Sequence, residues 1–534
     1  MKNKTRYYSN PEPASFYEML SNYRDTDPEQ TAFQILDRKM NITETSISEF
    51  YDSVLDLAIW MNQTLKENEK IILSAADDYR WVLVFFAAMV SGHPVITLNR
   101  DLPAEEMKAM NRKAEGSFLI YDPDYPELAE TFARIRSLPI SELEAQTEEL
   151  RKKTSEEEWQ NLKAGLEEEK APLNEAAIFF TSGTTGEAKG VILSETNIME
   201  DIHASCRLYK PEGGVLSVLP FYHSFGLVTG VMMPFNYHVP VAFCPSLRRM
   251  DKSIKAVKPQ TMFMVPLMVE TLHKKITRTM KDQGSLAKAQ KAMKAASVLK
   301  KIGIDLRKKW FAPIHEQLGG NLEVIICGGA FLEQKYIDDF DAWGISILNG
   351  YGITECSPVV AVNRSVSEKR GSVGQMIPGM DYRISQAGEL MLKGPTVMQG
   401  YVSEPEETAL VLDSEGWFNT QDLGHVDKDR FIFLDGRSKN LIILANGENI
   451  SPEQIEGALS TKSGVGEVVV FSENGRIIAE IYPDPDDPRP EEYYQTLISD
   501  YNRDVPVQRQ VSSLRLRDKP FEKTATRKIK RTGL

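Results

Sequence analysis

The sequence predicts an α/β protein with a large, multi-subdomain N-terminal α/β domain and a small α+β domain at the C-terminus. With 534 residues, the chain exceeds the size that one hydrophobic core usually organises. Helical patterns alternate with short apolar strands up to about residue 436, which is typical of α/β folds. Beyond that point the alternation stops, so we expect domains over residues 1–436 and 437–534.

The first 135 residues contain apolar strand patterns such as KIILSAA and HPVITL between helical patterns. Residues 141–175 differ from this, because they are dense in charge and poor in large apolar side chains. Such a composition predicts a solvated helical connection rather than a binding site.

The clearest unit is NLEVIICGGAFLEQKYIDDFDAWGISILNGYGITE. It predicts a strand ending at Gly328-Gly329, a helix to about Trp343, and a second strand ending at Asn349-Gly350. A strand, helix and strand in succession predict parallel strands with a right-handed crossover. Both glycine-rich segments then lie at the carboxyl ends of strands, where open α/β sheets bind ligands.

The C-terminal part contains a helix start in GENISPEQIEGAL and a hairpin in GEVVVFSENGRIIAEIY. We predict Ser451 as the helix cap, Pro452 as the first helical residue and Gln454 as the partner that completes a capping box. The hairpin is predicted to turn at Asn474-Gly475.

Composition excludes several classes of protein. The net charge of -13 argues against general nucleic-acid binding. The four cysteines are far apart, without the spacing of metal sites or of a disulfide scaffold, which indicates a reducing compartment. The N-terminus has no signal-peptide pattern, and the longest apolar run, WVLVFFAAMV, has about half the length of a membrane-spanning helix. We therefore expect a cytoplasmic protein.

The segment TSGTTGEAKG, which follows an apolar strand, has the chemistry of a polyphosphate-binding loop. Its glycines let the backbone approach a ligand, its hydroxyls and amides donate hydrogen bonds, and Lys189 adds positive charge. The spacing of Gly186 and Lys189, with two residues between them, does not match a Walker A loop and argues against a P-loop NTPase.

Further motifs accompany this loop: GGA, NGYGITE, GWFNTQDLG, DGRSKNLIILANGENISPEQIE and KTATRKIKR. Together, in this order, they resemble the motifs of the AMP-forming acyl-adenylate superfamily, which includes acyl-CoA synthetases, luciferases and peptide-synthetase adenylation domains. The resemblance runs from about residue 70 to the C-terminus. Two segments are most similar in sequence to long-chain fatty acid-CoA ligases: GIDLRKKWFAPIHEQLGGNLEVIICGGAFLEQ and NGYGITECSPVVAVN.

This resemblance implies the acyl-adenylate-forming enzyme fold with a mobile C-terminal domain. It implies ATP-dependent conversion of a medium- or long-chain fatty acid to acyl-AMP, followed by transfer to coenzyme A with release of AMP and pyrophosphate. The implied cofactors are ATP and Mg²⁺, with coenzyme A as co-substrate. Carrier-protein phosphopantetheine is an alternative acceptor, and a non-catalytic acyl- or nucleotide-binding protein is an alternative of another class.

The resemblance also implies roles for individual residues. Lys528, Glu355 and His223 are implied as catalytic, Glu355 and Thr181 as the magnesium site, and Lys439 as the hinge. The residues implied in ATP and AMP binding are Thr181, Ser182, Gly183, Thr184, Thr185, Gly186, Lys189, Gly329, Ala330, Asn349, Gly350, Tyr351, Gly352, Thr354, Asp422 and Arg437.

These residue types suit the implied chemistry. A carboxylate that attacks the α-phosphate of ATP brings two anions together, so magnesium and lysine charges are needed to offset their repulsion. Asp422 can accept hydrogen bonds from both ribose hydroxyls, and Arg437 can bind the same sugar or the phosphate. Tyr351 is expected to stack on adenine, and Ala330 to present backbone to it.

Plainer interpretations stay open for several of these residues. Glu355 could be a carboxylate at a helix start, Lys439 a surface lysine and His223 a structural histidine. The run FGLVTGVMMPFNYHVPVAF fits the wall of an acyl tunnel and also an ordinary core.

Three places depart from the family pattern. Gln421 and Arg430 occupy positions that are commonly glycine, and Thr526-Arg527 stands where Ser-Gly usually precedes the catalytic lysine. The larger side chains are expected to alter hinge geometry or slow the enzyme without removing a charged group.

Residues 273–309 hold twelve lysines and arginines against two aspartates, in a chain that is acidic overall. A solvated helix face explains this composition. A surface for anionic lipid also explains it, and would place the protein peripherally at the inner face of a membrane.

Overall fold

The structure is a computed structural model that describes residues 7–167, 171–182, 188–443, 449–473, 475–523, 529 and 531. Within them, the strands β1 to β25 in chain order are Thr31–Leu36, Ile42–Ser46, Ile71–Ser74, Val95–Thr97, Phe118–Tyr121, Arg136–Pro139, Ala177–Ser182, Ala188–Leu193, Val215–Ser217, Val241–Phe243, Thr261–Met264, Val324–Cys327, Ser346–Gly352, Val359–Val362, Gly374–Met376, Asp381–Ile384, Glu389–Lys393, Gly400–Tyr401, Phe418–Val426, Phe431–Arg437, Ile442–Ile443, Asn449–Ile450, Val465–Glu473, Arg476–Pro483 and Ser513–Leu516. The helices α1 to α18 are Phe16–Thr26, Ile47–Thr64, Tyr79–Ser91, Ala104–Ala114, Glu127–Thr131, Leu143–Lys153, Glu156–Glu167, Glu195–Leu208, Met233–Asn236, Met250–Val257, Pro266–Asp282, Leu286–Lys301, Arg307–Trp310, Ala312–Gln317, Gln334–Trp343, Pro405–Val411, Pro452–Ser460 and Glu491–Asp504.

The larger sheet changes from parallel to antiparallel at β13. On one side β1, β10, β9, β11, β12 and β13 are parallel neighbours, with β2 antiparallel at the edge. On the other side β14, β15, β20, β19, β17 and β16 follow in antiparallel order. Asn349 pairs with Cys327 in the parallel half, whereas Gly350 pairs with Val362 in the antiparallel half. The segment NGYG therefore lies where the sheet changes direction.

The second sheet has the order β18-β8-β7-β4-β3-β5-β6. Its strands β7, β4, β3, β5 and β6 are parallel, and β8 returns antiparallel to β7 with Thr181 opposite Lys189. The apolar run WVLVFFAAMV forms most of α3, in which every residue from Trp81 to Ser91 is buried. One hydrophobic cluster joins side chains of both sheets and of α3, so the N-terminal part folds around a shared core.

The predicted strand-helix-strand unit is confirmed. β12 ends at Cys327, α15 spans Gln334–Trp343, and β13 pairs with β12 in parallel. The second strand continues to Gly352, two residues beyond its expected end.

The charged connection forms helices α6 and α7, as predicted, but it is not solvated on all sides. Trp159 of α7 is fully buried, and its indole nitrogen donates a hydrogen bond to Asp56 of α2 at 3.2 Å. Trp159, together with the buried Leu166, thus fixes an otherwise polar helix against the domain.

The C-terminal part contains the predicted hairpin. β23 and β24 pair so that Glu473 lies opposite Arg476, and Gly475 has a φ of 71°, which favours glycine. Asn474 lies outside the described residues. β25 adds to β24 in parallel, and α17 and α18 contribute to a separate hydrophobic cluster. The α/β fold class, with a large sheet-rich N-terminal domain and a smaller C-terminal part, is confirmed, while the boundary at residue 436 stays a prediction.

The predicted capping box at α17 is wrong. Pro452 begins the helix and Ser451 occupies the cap position, but the Ser451 side chain accepts no hydrogen bond from the first helical turn. Its hydroxyl donates to Glu453 at 2.8 Å instead, and the Gln454 amide reaches the Asp435 carbonyl at 3.5 Å. The Ser451 and Gln454 side chains therefore contact groups other than the backbone amides that a capping box would use.

Two expectations drawn from composition have structural counterparts. All four cysteines are free thiols. Among the described residues, no helix combines the length and hydropathy that crossing a membrane requires.

Candidate active site

Three of the motifs meet beside the carboxyl ends of β12 and β13. A Cβ atom built on Gly328 would lie 3.2 Å from Cζ of Phe225 and 3.5 Å from the carbonyl oxygen of Gly350. A side chain at this position would force the Phe225 ring to shift by a few tenths of an ångström. The GGA segment, the segment after His223 and the NGYG segment therefore surround one region of the molecule.

Asp422 forms the centre of a buried polar cluster. The hydroxyl of Tyr351 donates to Oδ2 of Asp422 at 2.5 Å, and Nε of Arg437 lies 2.8 Å from Oδ1. Pairing of β19 with β20 sets Asp422 opposite Arg437, so the sheet itself positions the ion pair. Burial, and next the Asp422 charge, raise the pKa of Tyr351 well above its ordinary value, which keeps this hydroxyl a neutral donor.

Two of the departures from the family pattern lie on the same hairpin, Gln421 beside Asp422 on β19 and Arg430 in the turn that joins β19 to β20. Gln421 and Arg430 have φ values of 58° and 65°, in the left-handed region where glycine is favoured. The backbone N–H of Gln421 donates to Oδ1 of Asn419 at 2.9 Å, and the Arg430 guanidinium donates to the Met380 carbonyl. Both residues keep a backbone conformation typical of glycine, and the Arg430 side chain finds a backbone partner.

Glu355 lies on the 3₁₀ turn Thr354–Cys356, which packs against β8. The hydroxyl of Tyr401 donates to Oε1 of Glu355 at 2.9 Å. Burial, followed by the Glu355 charge, raises the pKa of Tyr401, so the hydroxyl stays protonated. Lys189 of β8 lies over the Tyr401 ring, 4.9 Å from its centroid, and pairs with Oε2 of Glu407 at 2.6 Å.

This arrangement fits a magnesium ion that is held mainly by its substrate. The described residues contain no group of three or more histidine, cysteine, aspartate and glutamate side chains placed to hold a metal. Magnesium in nucleotide sites is commonly bound by one or two carboxylates together with phosphates and water. Glu355 is part-buried and oriented by Tyr401, as such a single carboxylate should be.

Tyr401→Phe is expected to weaken magnesium-dependent nucleotide binding about tenfold, because hydrogen bonds to a ligating carboxylate fix its orientation. The phenyl ring would still cover Lys189. The measurement is a titration of ATP at several Mg²⁺ concentrations. If the substitution changed ATP affinity equally with and without Mg²⁺, Tyr401 would not act through Glu355.

Lys439, on the 3₁₀ turn Ser438–Asn440, lies near the same groups. Burial is the main cause that lowers its pKa to about 8, and the Arg437 charge adds to this effect, whereas Asp422 and Glu355 oppose it. Lys439 itself is exposed and lies beside the polar cluster, so its role as a hinge stays a prediction.

The lowered pKa predicts a pH effect on nucleotide binding. Because the folded-state pKa lies below the unfolded value, Lys439 loses its charge as pH rises through about 8, and the contribution of this group to stability increases over that window. ATP should bind more weakly at pH 9 than at pH 7, roughly one unit on either side of that pKa. Lys439→Met should bind ATP weakly at both pH values. The same pH dependence in wild type and Lys439→Met, measured by calorimetry, would contradict this assignment.

His223 precedes an eight-residue π-helical segment, Phe225–Met232. π-Helical segments are rare and frequent at functional sites. The His223 ring contacts that of Tyr222, with centroids 4.7 Å apart. Residues 226–236 are buried, so most of the predicted tunnel wall is core as well.

Gly226→Ala is expected to destabilise the protein by about 1–3 kcal/mol, because overpacking distorts a well-packed interior. A Cβ atom at Gly226 would lie 2.1 Å from the Pro220 carbonyl oxygen, which is backbone and cannot move aside easily. The control is Gly165→Ala in α7, where a Cβ atom would meet no atom within 4 Å. This substitution should stabilise the helix by about 0.5–1 kcal/mol. Denaturant unfolding compares the two, and similar midpoints would refute the packing argument.

The structure places the predicted residues on different elements. Thr181 and Ser182 end β7, Lys189 is on β8, Gly329 and Ala330 follow β12, Asn349, Gly350, Tyr351 and Gly352 are on β13, and Thr354 and Glu355 share the 3₁₀ turn. Gly183, Thr184, Thr185, Gly186, Thr526, Arg527 and Lys528 lie outside the described residues. Sequence reasoning missed Tyr401 and Glu407, which no local pattern connects with Glu355 or Lys189.

Comparisons with known proteins identify the family and the fold. A family model described as AMP-binding enzyme matches residues 23–402. The long-chain-fatty-acid--CoA ligase FadD15 of Mycobacterium bovis is 26% identical over 435 residues, covering 77% of this chain and 72% of its own. The chloroplastic long-chain-fatty-acid--[acyl-carrier-protein] ligase AEE15 of Arabidopsis thaliana is 26% identical over 505 residues, covering 78% and 69%. The solved o-succinylbenzoate coenzyme A synthetase (MenE) of Bacillus subtilis, in complex with ATP and magnesium ion, has a TM-score of 0.73 at 20% identity, covering 96% and 98%, and shares the fold.

Proposed function

Because the chain belongs to the AMP-binding enzyme family, we propose that it is a ligase that activates a medium- or long-chain fatty acid with ATP and transfers it to coenzyme A. The products are acyl-CoA, AMP and pyrophosphate. The observation that carries the proposal is the buried Asp422 carboxylate held by Tyr351 and Arg437, together with the Glu355 carboxylate oriented by Tyr401, since these groups suit a nucleotide with a bound cation.

On binding, the nucleotide would replace contacts that Tyr351, Asp422 and Arg437 now make with one another. Asp422 and Arg437 would bind the ribose, and the Tyr351 ring would lie against adenine. The exposed backbone at Gly329 and Ala330 would line the adenine pocket. Hydrogen bonds from the ribose would replace those that Asp422 now accepts, so this buried carboxylate stays satisfied in both states.

The acid would react beside the phosphates. Magnesium, when bound, would neutralise phosphate charge and so reduce the repulsion of the incoming carboxylate. Thr181 and Lys189 hold the described ends of the phosphate loop in register across β7 and β8. Lys189 would exchange Glu407 for phosphate, and Lys528 would contact the α-phosphate and the attacking carboxylate.

Coenzyme A supplies its own thiol for the second step, so the protein needs no nucleophile of its own there. Rotation of the C-terminal domain about Lys439 would replace Lys528 with the thiol at the acyl-AMP. Such domain movements let two half-reactions use one site. His223, next to the π-helical segment, would line the acyl side of the anhydride.

The test is AMP release from ATP and Mg²⁺ with acids from acetate to oleate and with benzoate, each with and without coenzyme A. We expect medium- or long-chain acids to react best, because each buried methylene contributes about 0.8 kcal/mol. Strict dependence of turnover on coenzyme A identifies the ligase. A preference for acetate or benzoate would contradict the fatty-acid assignment.

A carrier protein is the second candidate acceptor, and the similarity to the acyl-carrier-protein ligase AEE15 favours it. In that case holo-carrier protein, but not coenzyme A, would support multiple turnovers. No AMP release with either acceptor would leave a non-catalytic binding protein on the same fold.

We propose a cytoplasmic location, with peripheral contact at the inner face of a membrane through residues 273–309. Fractionation of cells into cytosol and membranes, before and after a salt wash, tests this location. Recovery in the membrane fraction after the salt wash would contradict a peripheral contact.

A further inference from the structure

One face of α12 combines lysines with an exposed apolar residue. Lys291, Lys294, Val298 and Lys301 follow one another at steps of three or four residues and so share one side of the helix. All four are exposed, and Val298 has 62% of its surface accessible. Val298 therefore places an apolar side chain among the lysines of this face.

The opposite face of α12 fixes this orientation. Ala296 is buried, and Ala289, Ala292 and Met293 are partly buried against the main hydrophobic cluster. The helix packs against α15, which connects the GGA and NGYG segments. The lysine face must therefore point away from the domain.

The end of α12 adds a second apolar feature. Ile302 and Ile304 flank Gly303 and are 68% and 46% exposed. The amide of Ile304 donates to the Leu299 carbonyl at 3.0 Å, so a regular turn presents both side chains. Trp310, at the end of α13, is 39% exposed.

Ion pairs hold this turn firmly on the domain. The Arg307 guanidinium lies 2.7 Å from Asp341 of α15 and 2.6 Å from Asp305, and Lys300 lies 2.7 Å from Asp341. These basic residues are engaged within the protein. Lys291, Lys294 and Lys301, by contrast, form no ion pair with any residue that the structure describes.

We propose that the exposed lysines of α12, together with Val298, Ile302, Ile304 and Trp310, form a docking surface for an anionic lipid bilayer. The lysines would lie among lipid headgroups while the isoleucines and Trp310 enter the interface, a combination typical of interfacial helices. Charge complementarity is local, because the whole chain carries a net charge of -13 and would otherwise be repelled.

The benefit of such docking rests on the proposed function, because long-chain acids partition into bilayers. Binding of the protein to a bilayer does not itself depend on that function. Vesicle binding can be measured without substrate, and the AMP-release assay can be run without vesicles. Failure of one proposal is therefore distinguishable from failure of the other.

The experiment is cosedimentation of the full chain with vesicles of phosphatidylcholine, alone or mixed with phosphatidylglycerol. We expect binding to the mixed vesicles at low salt, release at high salt, and little binding to the neutral vesicles. Lys291→Gln, Lys294→Gln and Lys301→Gln should each weaken partitioning about fivefold, and together on the order of a hundredfold.

The apolar residues separate lipid from other polyanions. Val298→Ser and Ile302→Ser should each weaken vesicle binding about tenfold, because they remove side chains that would be buried in the bilayer. The control is Lys152→Gln with Lys153→Gln on α6, both exposed lysines on another helix, which should leave binding unchanged.

Equal binding to neutral vesicles, or equal losses in the α6 control, would overturn the proposal. Absence of vesicle binding would also overturn it and leave a solvated helix face. An RNA oligonucleotide that binds as tightly as mixed vesicles, with no effect of Ile302→Ser, would show a general polyanion surface instead of a lipid surface.

Discussion

Lys528→Ala is expected to slow acyl-AMP formation about 100- to 1000-fold, the usual loss when one preorganised charge contact to a transition state is removed. Thioester formation from pre-made acyl-AMP should be largely spared, because Lys528 is expected to act only in the adenylating arrangement of the C-terminal domain. The measurement is single-turnover kinetics of each half-reaction.

The control is Lys530→Ala, which should change neither half-reaction. Other basic residues nearby have structural partners, since Lys523 pairs with Glu467 at 2.6 Å and Arg531 pairs with Glu456. Lys523 and Ile529, on either side of Lys528 in the chain, form an antiparallel bridge. Equal losses for Lys528→Ala and Lys530→Ala would show that the basic segment acts only through its total charge.

Glu355→Gln should also lower the rate of adenylation about 100- to 1000-fold, because it removes the carboxylate that we propose holds magnesium against the phosphates. The amide is nearly the same size and still accepts a hydrogen bond from Tyr401, so folding should be unaffected. A readout independent of turnover is ATP binding, which should no longer strengthen when Mg²⁺ is added.

The matched control for Glu355→Gln is Glu407→Gln, which neutralises a carboxylate that pairs with Lys189 on the same side of the site. Glu407 is more exposed, and its loss should leave the magnesium dependence intact. If both substitutions abolished the effect of Mg²⁺ on ATP binding, total charge rather than Glu355 would explain the result.

The sequence predicted best where a pattern extends over several residues. Alternation of strand and helix located β12, α15 and β13, because parallel strands and their crossover have a strong periodic signal. The motifs also predicted that Asp422, Arg437 and Tyr351 serve one nucleotide site, and the three side chains contact one another in the structure. The capping box at α17 was wrong because the Gln454 side chain reaches the Asp435 carbonyl, 19 positions away, and a local pattern does not show that contact.

Contacts between distant segments that no family motif connects could not be predicted. Tyr401 reaches Glu355 across 46 positions of sequence, and it does so only because β18 joins the second sheet beside β8. Likewise, the lysine-rich composition of residues 273–309 does not show which lysines are ion-paired. The tertiary structure separates Lys300, held by Asp341, from the exposed Lys301.

Fatty-acid-dependent exchange of labelled pyrophosphate into ATP tests the proposed chemistry most directly, because exchange requires reversible formation of acyl-AMP and needs no thiol. With Mg²⁺ present and coenzyme A absent, we expect label in ATP when a medium- or long-chain acid is added and none without acid. Glu355→Gln and Lys528→Ala should reduce this exchange together. No exchange with any acid in the wild-type protein, under conditions in which it binds ATP, would contradict the assignment of this site to acyl-AMP formation.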